Sequence, residues 1–279
     1  MKSLKALMGA TALVVASSAG ATDLEVTHWW TSGGEAAAVA ELAKAFDASG
    51  DKWIDGAIAG SGGVARPIMI SRIIGGDPMG ATQFNHGRQA EELVEAGLML
   101  DLTDVAEANN WREVVHPSSL LDACTIDGRI YCAPVNIHSW QWLWLSHKAY
   151  DDAGLDVPTN WDEYVASASA LNDAGKLPLA MGQQGWQQRG LFNTLFAALV
   201  PNEVFLAVYD DKDADVAAGA DVARVFAAAA DAREMASNST VQNWNDATNL
   251  VITGQAGGQI MGDWAQGEFA VAEQVAGTD

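Results

Sequence analysis

The chain has 279 residues, of which 36 are acidic and 15 basic, so its formal net charge is −21 at pH 7. That balance argues against a nucleic acid partner, whose phosphates require clustered Lys and Arg, and is the ordinary state of a well-solvated exported protein. At this length a single core is overextended, and two domains of common size are expected.

Residues 1–21 run from a basic start (Met1, Lys2, Lys5) through the apolar stretch ALMGATALVVA to Ala19-Gly20-Ala21. This is the order of a secretory signal peptide, with cleavage expected after Ala21. The apolar run is well short of the roughly 20 residues that a membrane anchor needs.

Strands and helices then alternate in α/β order. LEVTHW reads as a strand, and EAAAVAELAKAFDASG as an amphipathic helix ending near Gly50, because Ala, Val, Leu and Phe recur at helical spacing. WIDGAIAG is a second strand, VARPIMISRIIGG a helix stopped by Gly75, Gly76 and Pro78, and ATQFNH a third strand. GRQAEELVEAG is a helix with Gly97 as its C-cap.

Cys124 and Cys132, the only cysteines, flank Asp127-Gly128 in DACTIDGRIYCAP, a hairpin pattern. In an oxidising compartment a disulfide across that hairpin is expected. A strict two-residue turn would set Cys132 opposite Ala123 and turn Cys124 to the other side, so the turn is expected to be bulged or three residues long. The cysteine spacing is not C-x-x-C and the histidines form no close pair on a helical face, so neither a metal nor a cofactor is expected.

In the second half IYCAPVNIHSWQWLWLS is a long extended run with Trp140, Trp142 and Trp144 on one face. PTNWDEYVASASALNDAG is a helix with Thr159 or Asn160 as N-cap, LPLAMG a strand, and QQRGLFNTLFAALV, GADVARVFAAAADAREMA and NDATNLVITGQ are helices. AGGQIMGDW is a strand leading to a loop. Without repeats or a linker, this gives two α/β lobes, 22–136 and 137–279, joined by the extended run near residues 133 to 142.

Open α/β sheets bind ligands outside the carboxyl ends of their strands, where Trp29-Trp30, Asn85-His86 and Asp263-Trp264 fall. Neighbouring residues of an extended chain point to opposite faces, so only one of Trp29 and Trp30 need face the core, leaving the other for a cleft. Aromatic faces rimmed by amides and carboxylates suit a neutral polyhydroxylated ligand such as a sugar. A phosphate or dicarboxylate would call for Arg or Lys, which these junctions lack.

The segments HWWTSGGEAAAVAEL, ISRIIGGDPMGATQF, CAPVNIHSWQWLWLSHKAYDDAGLDVPTNWDEY and GQAGGQIMGDWAQGEF resemble the extracellular solute-binding proteins of family 1. They are most similar to the glucose/mannose-binding members, periplasmic receptors of sugar ABC importers. The resemblance covers essentially the whole chain after the signal, and WWTSGGE, PVNIH and MGDWA are its specific motifs. It implies a periplasmic-binding-protein type II fold, two α/β lobes with a hinge, in a monomer that captures a monosaccharide and delivers it to an inner-membrane ABC permease. It further implies that Trp29, Trp30 and Glu35 contact sugar from the first lobe, with a polar contact from Asn85 or His86. Trp186 in GQQGWQQ and Asp263-Trp264 in MGDWA would approach from the second lobe. His138 in PVNIH falls at the crossover, as a hinge residue or a ligand contact. Members of the family are longer, and this chain stops at VAEQVAGTD. A C-terminally truncated fragment is therefore expected, its first lobe incomplete without the returning chain.

The competing reading is a secreted carbohydrate-active enzyme with Glu35 and Asp263 as a glycosidase pair. Against it, Glu35 stands at a helix N-terminus, which favours its charged form, and no nucleophile elbow, zincin motif or P-loop occurs.

Overall fold

The computed structural model describes residues 21–85 and 89–278; the expected signal peptide up to Gly20, and His86, lie outside the described residues. Among the described residues no helix is long and apolar enough to cross a membrane.

The first half is built on a parallel sheet ordered β2-β1-β3. Strand β1 (Asp23–His28) leads into helix α1 (Gly33–Asp47), then β2 (Lys52–Ala57), α2 (Ser61–Ile74) and β3 (Ala81–Thr82). β1 and β2 pair along their full length, from Asp23 opposite Lys52 to His28 opposite Ala57. β3 is shorter than ATQFNH predicts. The Gln83 N–H still bonds to the Thr27 carbonyl, but the Gln83 side chain then accepts the Trp29 N–H at 2.9 Å, and the ladder ends.

Four short helices follow, α3 (Glu91–Glu95), α4 (Thr103–Ala108), α5 (Trp111–Val114) and α6 (Ser119–Asp122), and then a hairpin of β4 (Thr125–Ile126) and β5 (Arg129–Ile130). Cys124 and Cys132 are disulfide-bonded. The expected bulge is absent: Ile126 pairs with Arg129 across a two-residue turn in which Asp127 and Gly128 have φ of 49° and 78°. The face argument failed because Cys124 is not on a strand. It leaves α6 with its N–H bonded to the Leu121 carbonyl, and that helical exit swings its side chain toward Cys132.

The second half runs β6 (Leu143–Leu145), α7 (His147–Ala153), α8 (Trp161–Asp173), β7 (Leu177–Leu179), α9 (Gly185–Leu199), α10 (Asn202–Tyr209) and α11 (Ala214–Ala217). It continues through α12 (Ala220–Met235), α13 (Trp244–Ile252), β8 (Ala256–Ile260) and α14 (Ala265–Val271). Asn160 is the N-cap of α8, accepting the Glu163 N–H at 3.0 Å, while the Glu163 carboxylate reaches back to Thr159. The sheet order is β6-β8-β7, with β8 central, antiparallel to β6 and parallel to β7. The long extended run is largely unpaired, and the three tryptophans form no single ladder. Trp142 donates its N–H to the Trp140 carbonyl, a three-residue turn, so regular pairing begins only at Leu143.

Burial differs sharply between the halves. All five residues of β8 are buried, and Gly258 must be glycine, since a Cβ there would lie 2.8 Å from the Trp144 carbonyl. The surrounding core joins Tyr150, Tyr164, Leu179, Phe196 and Val225. In the first sheet only Thr27 and His28 of β1 are buried. α2 packs Ala65, Met69 and Ile73 inward but leaves Val64 and Ile74 48% and 66% exposed.

Opening free energies follow buried contacts, so amide exchange should be slowest at β8 and at least about tenfold faster at β2 and α2. Hydrogen exchange read by mass spectrometry checks this; equal protection of the two sheets would contradict it.

Candidate functional site

Two clusters of side chains gather at the strand ends, and the segments that carry them touch through α1 and α14. The first grows from the turn between β1 and α1. Trp29 packs against the core beside α2, close enough to Gly62 that a Cβ there would come within 3.2 Å of its ring. Trp30, the next residue, is half-buried and outside that core cluster, in keeping with the alternation of an extended chain. Glu35 closes the turn: one carboxylate oxygen accepts the Thr31 N–H at 3.1 Å, the Ser32 N–H at 3.3 Å and the Ser32 hydroxyl at 3.0 Å.

Those bonds and the helix N-terminus favour the carboxylate, but burial outweighs them and pushes the Glu35 pKa above its ordinary value. The nearby Glu268 carboxylate pushes in the same direction. The sequence expectation of a charge-favouring turn weighed the helix end without this burial.

The second cluster sits where β8 runs out. The Trp264 ring lies across Gly262, where a Cβ would come within 2.0 Å of it, so glycine is required there. Trp264 meets Trp140 edge-on with centroids 4.8 Å apart, and Trp140 meets Trp186 edge-on at 5.7 Å. The Trp186 indole N–H donates to Gln184 Oε1 at 2.7 Å, which fixes the ring's roll. His138 packs edge-on against Trp264 at 5.1 Å and pairs through Nδ1 with Asp263 Oδ1 at 2.8 Å. The other Asp263 oxygen accepts the Ser139 N–H at 3.0 Å.

Trp186, Asp263, Trp264 and His138 thus come together, while Trp30 and Glu35 share the turn between β1 and the start of α1. Trp29 is largely a packing residue, and Asn85 is exposed, its own N–H bonded to Gln89 Oε1. Sequence reasoning missed Trp140, placed among the strand tryptophans, and Gln184, whose signal was its place beside Trp186 in GQQGWQQ. It also missed Glu268 of α14, whose Oε1 accepts the Gly34 N–H of α1 at 2.8 Å. The clusters approach again where Gln184 Nε2 lies 3.5 Å from the Gly60 carbonyl.

The family model for bacterial extracellular solute-binding proteins matches residues 18–278. A "Probable sugar-binding periplasmic protein" of Rhizobium meliloti is 36% identical over 272 residues, covering 96% of this chain. One of the same description from Brucella melitensis is 35% identical over 267 residues, covering 95% of the chain. The chain spans 65% and 63% of the lengths of these two relatives. Among solved structures, a "Chitin oligosaccharide binding protein" superposes with a TM-score of 0.69 at 18% identity, over 88% of this chain and 63% of that one. The fold is the type II fold of periplasmic solute-binding proteins.

Glu35 provides a test of the electrostatics. A carboxyl group whose pKa is higher folded than unfolded stabilises the fold fully below its unfolded pKa, and that contribution is lost as pH rises through the folded value. Glu35→Gln cannot ionise. Wild type should therefore lose stability relative to Glu35→Gln as pH climbs from below the ordinary carboxylate range toward neutrality, then run parallel to it. Urea midpoints of both proteins across that range measure the difference; a gap that widens in favour of wild type would mean that the hydrogen bonds outweigh burial.

Proposed function

The chain belongs to the bacterial extracellular solute-binding proteins, and from that premise we propose that it is a periplasmic receptor for a glucose- or mannose-like monosaccharide. In this reading the sugar is captured between two α/β lobes, 22–136 and 137–279, and handed to an inner-membrane ABC permease. The protein is exported by the signal peptide at residues 1–21 and acts as a monomer.

The observation that carries the proposal is the half-buried cluster of Trp140, Trp186 and Trp264 at the end of β8, with the Trp186 ring held by Gln184 and the Trp30–Glu35 turn tied to the same region through the Gly34–Glu268 bond. Indole faces bind the C–H faces of a sugar ring, and amide and carboxylate oxygens at the rim accept its hydroxyls. A rigid face suits a receptor, since little side-chain freedom remains to be lost on binding. Trp29, Trp30 and Glu35, with Asn85 or His86, are assigned to the first lobe's side of the site, and Trp186, Asp263 and Trp264 to the second. His138 is assigned to the crossover.

The glycosidase reading finds less support. Both oxygens of Asp263 are already engaged, one by His138 and one by the Ser139 N–H. A carboxylate tied into the backbone of the crossover is poorly placed to exchange protons with a leaving group. The curated relatives are described as binding proteins.

A receptor that must release its cargo binds near micromolar affinity, roughly −8 kcal/mol. Trp30→Ala should remove about 1–3 kcal/mol of that affinity without lowering the melting temperature much. Titration with glucose, mannose and galactose, followed by tryptophan fluorescence and calorimetry, measures the affinity. Unchanged affinity together with a sharp fall in melting temperature would make Trp30 a core residue; turnover of an oligosaccharide panel would restore the enzyme reading.

A further inference from the structure

Glu268 belongs to neither aromatic cluster, yet it joins them. Its position on α14 is one helical turn past Trp264, so the two side chains lie on one face of the chain that leaves β8. Its Oε1 accepts the Gly34 N–H at 2.8 Å in the first turn of α1, one residue before Glu35. That N–H is one of the unsatisfied donors every helix N-terminus presents, and a carboxylate is the partner its dipole favours. Beside the bond the two backbones touch: a Cβ on Gly34 would lie 2.5 Å from the Gly267 carbonyl carbon, and one on Gly267 3.0 Å from Gly34 Cα. The side chain of Val271 lies against Gly33. Glycine at position 34 is thus the condition for this approach of α14 to α1, and a side chain at position 267 would crowd it.

We propose that Glu268 is a cross-cleft positioning residue: by capping α1 at Gly34 it docks α14 on α1 and sets the spacing between Trp264 and the Trp30–Glu35 turn. The proposal rests on the sugar-receptor reading for its purpose and on the geometry for its existence. The Gly34–Gly267 contact leaves no room for a sugar ring between the helices, so the latch also closes that end of the cleft.

The test uses the full chain and the variants Glu268→Ala, Glu268→Gln and Gly267→Val. Hydrogen exchange in the absence of sugar reads the latch. Residues 33–36 should exchange about tenfold faster in Glu268→Ala, as expected for loss of a charge-assisted bond, and Glu268→Gln, which keeps an acceptor oxygen, should recover part of the protection. Gly267→Val should expose the same segment by wedging the backbones apart. β1 and β8 should keep their protection throughout. Unchanged exchange at 33–36 in both Glu268→Ala and Gly267→Val would overturn the proposal, as would protection lost equally across β1 and β8. Glucose titration reads the positioning: Kd should rise about three- to tenfold in Glu268→Ala and less in Glu268→Gln. An unchanged Kd with the latch open overturns the positioning role. A wild type indifferent to glucose, mannose and galactose counts against the sugar reading alone, and the exchange result still judges the latch.

Discussion

The antiparallel pairing of β6 with β8 continues beyond the strands themselves. Past Ile260, the Met261 N–H bonds to the Trp142 carbonyl at 3.2 Å and the Asp263 N–H to the Ser139 carbonyl at 2.8 Å. The Asp263 carboxylate then returns two bonds, to the Ser139 N–H and to His138. The crossover segment and the end of β8 are thereby zipped into one ribbon. The N–H of Met261, a residue only 1% exposed, would otherwise go unpaired at a cost of about 1–3 kcal/mol. The candidate cleft depends on this ribbon, because Trp140 and His138 stand on one edge of it and Trp264 on the other. Without it three aromatic rings would have no common frame.

Gln259 strengthens the same frame from behind. It is fully buried, donating through Nε2 to the Trp244 carbonyl at 2.9 Å and accepting the Thr248 hydroxyl at 2.7 Å. A satisfied polar group in a core costs little and fixes register, whereas an apolar replacement would remove the bond from β8 to the Trp244 carbonyl and leave that carbonyl to the Thr248 hydroxyl alone among side chains. α13 is thus held to β8, and Trp244, 5% exposed, backs the Trp264 ring at a centroid distance of 6.4 Å. The aromatic face is supported by polar bonds as much as by packing.

Which parts of this were legible follows from how far apart the determining residues lie. α1, α2, α8, α9 and α12 carry their apolar spacing locally, and Asn160 with Glu163 marks a helix start within four residues. The motifs WWTSGGE and MGDWA were expected at strand ends, and they follow β1 and β8. What local pattern could not show was set by distant partners. Period-two spacing put Trp140 on a strand face, but the ribbon with Asp263 draws residues 139 to 142 into a turn first. The disulfide of Cys124 and Cys132 was legible in the hairpin pattern, but the shape of its turn was not, since α6 supplies a helical exit that a strand pattern does not encode. The bond from Glu268 to Gly34 spans 234 positions, and no window of sequence contains both.

The energetics of such a cleft place a limit on its aromatic half. On the proposed reading each indole ring covered by a sugar contributes about 1–3 kcal/mol of contact and burial, so three rings supply roughly 3–9 kcal/mol gross. Micromolar capture needs roughly 8 kcal/mol net, after the cost of immobilising the ligand. Polar groups must provide the difference, and a charged acceptor contributes about twice what a neutral one does. Glu35 is the carboxylate best placed for that role at the start of α1, yet burial and Glu268 both press it toward the neutral form. The bonds from Thr31 and Ser32 hold it the other way. A hydroxyl donated by a bound sugar would add to them, so ligand binding and ionisation of Glu35 favour each other. Because both draw on the α1 N-terminus that α14 caps, the geometry of the latch and the strength of the acceptor are coupled through one helical turn.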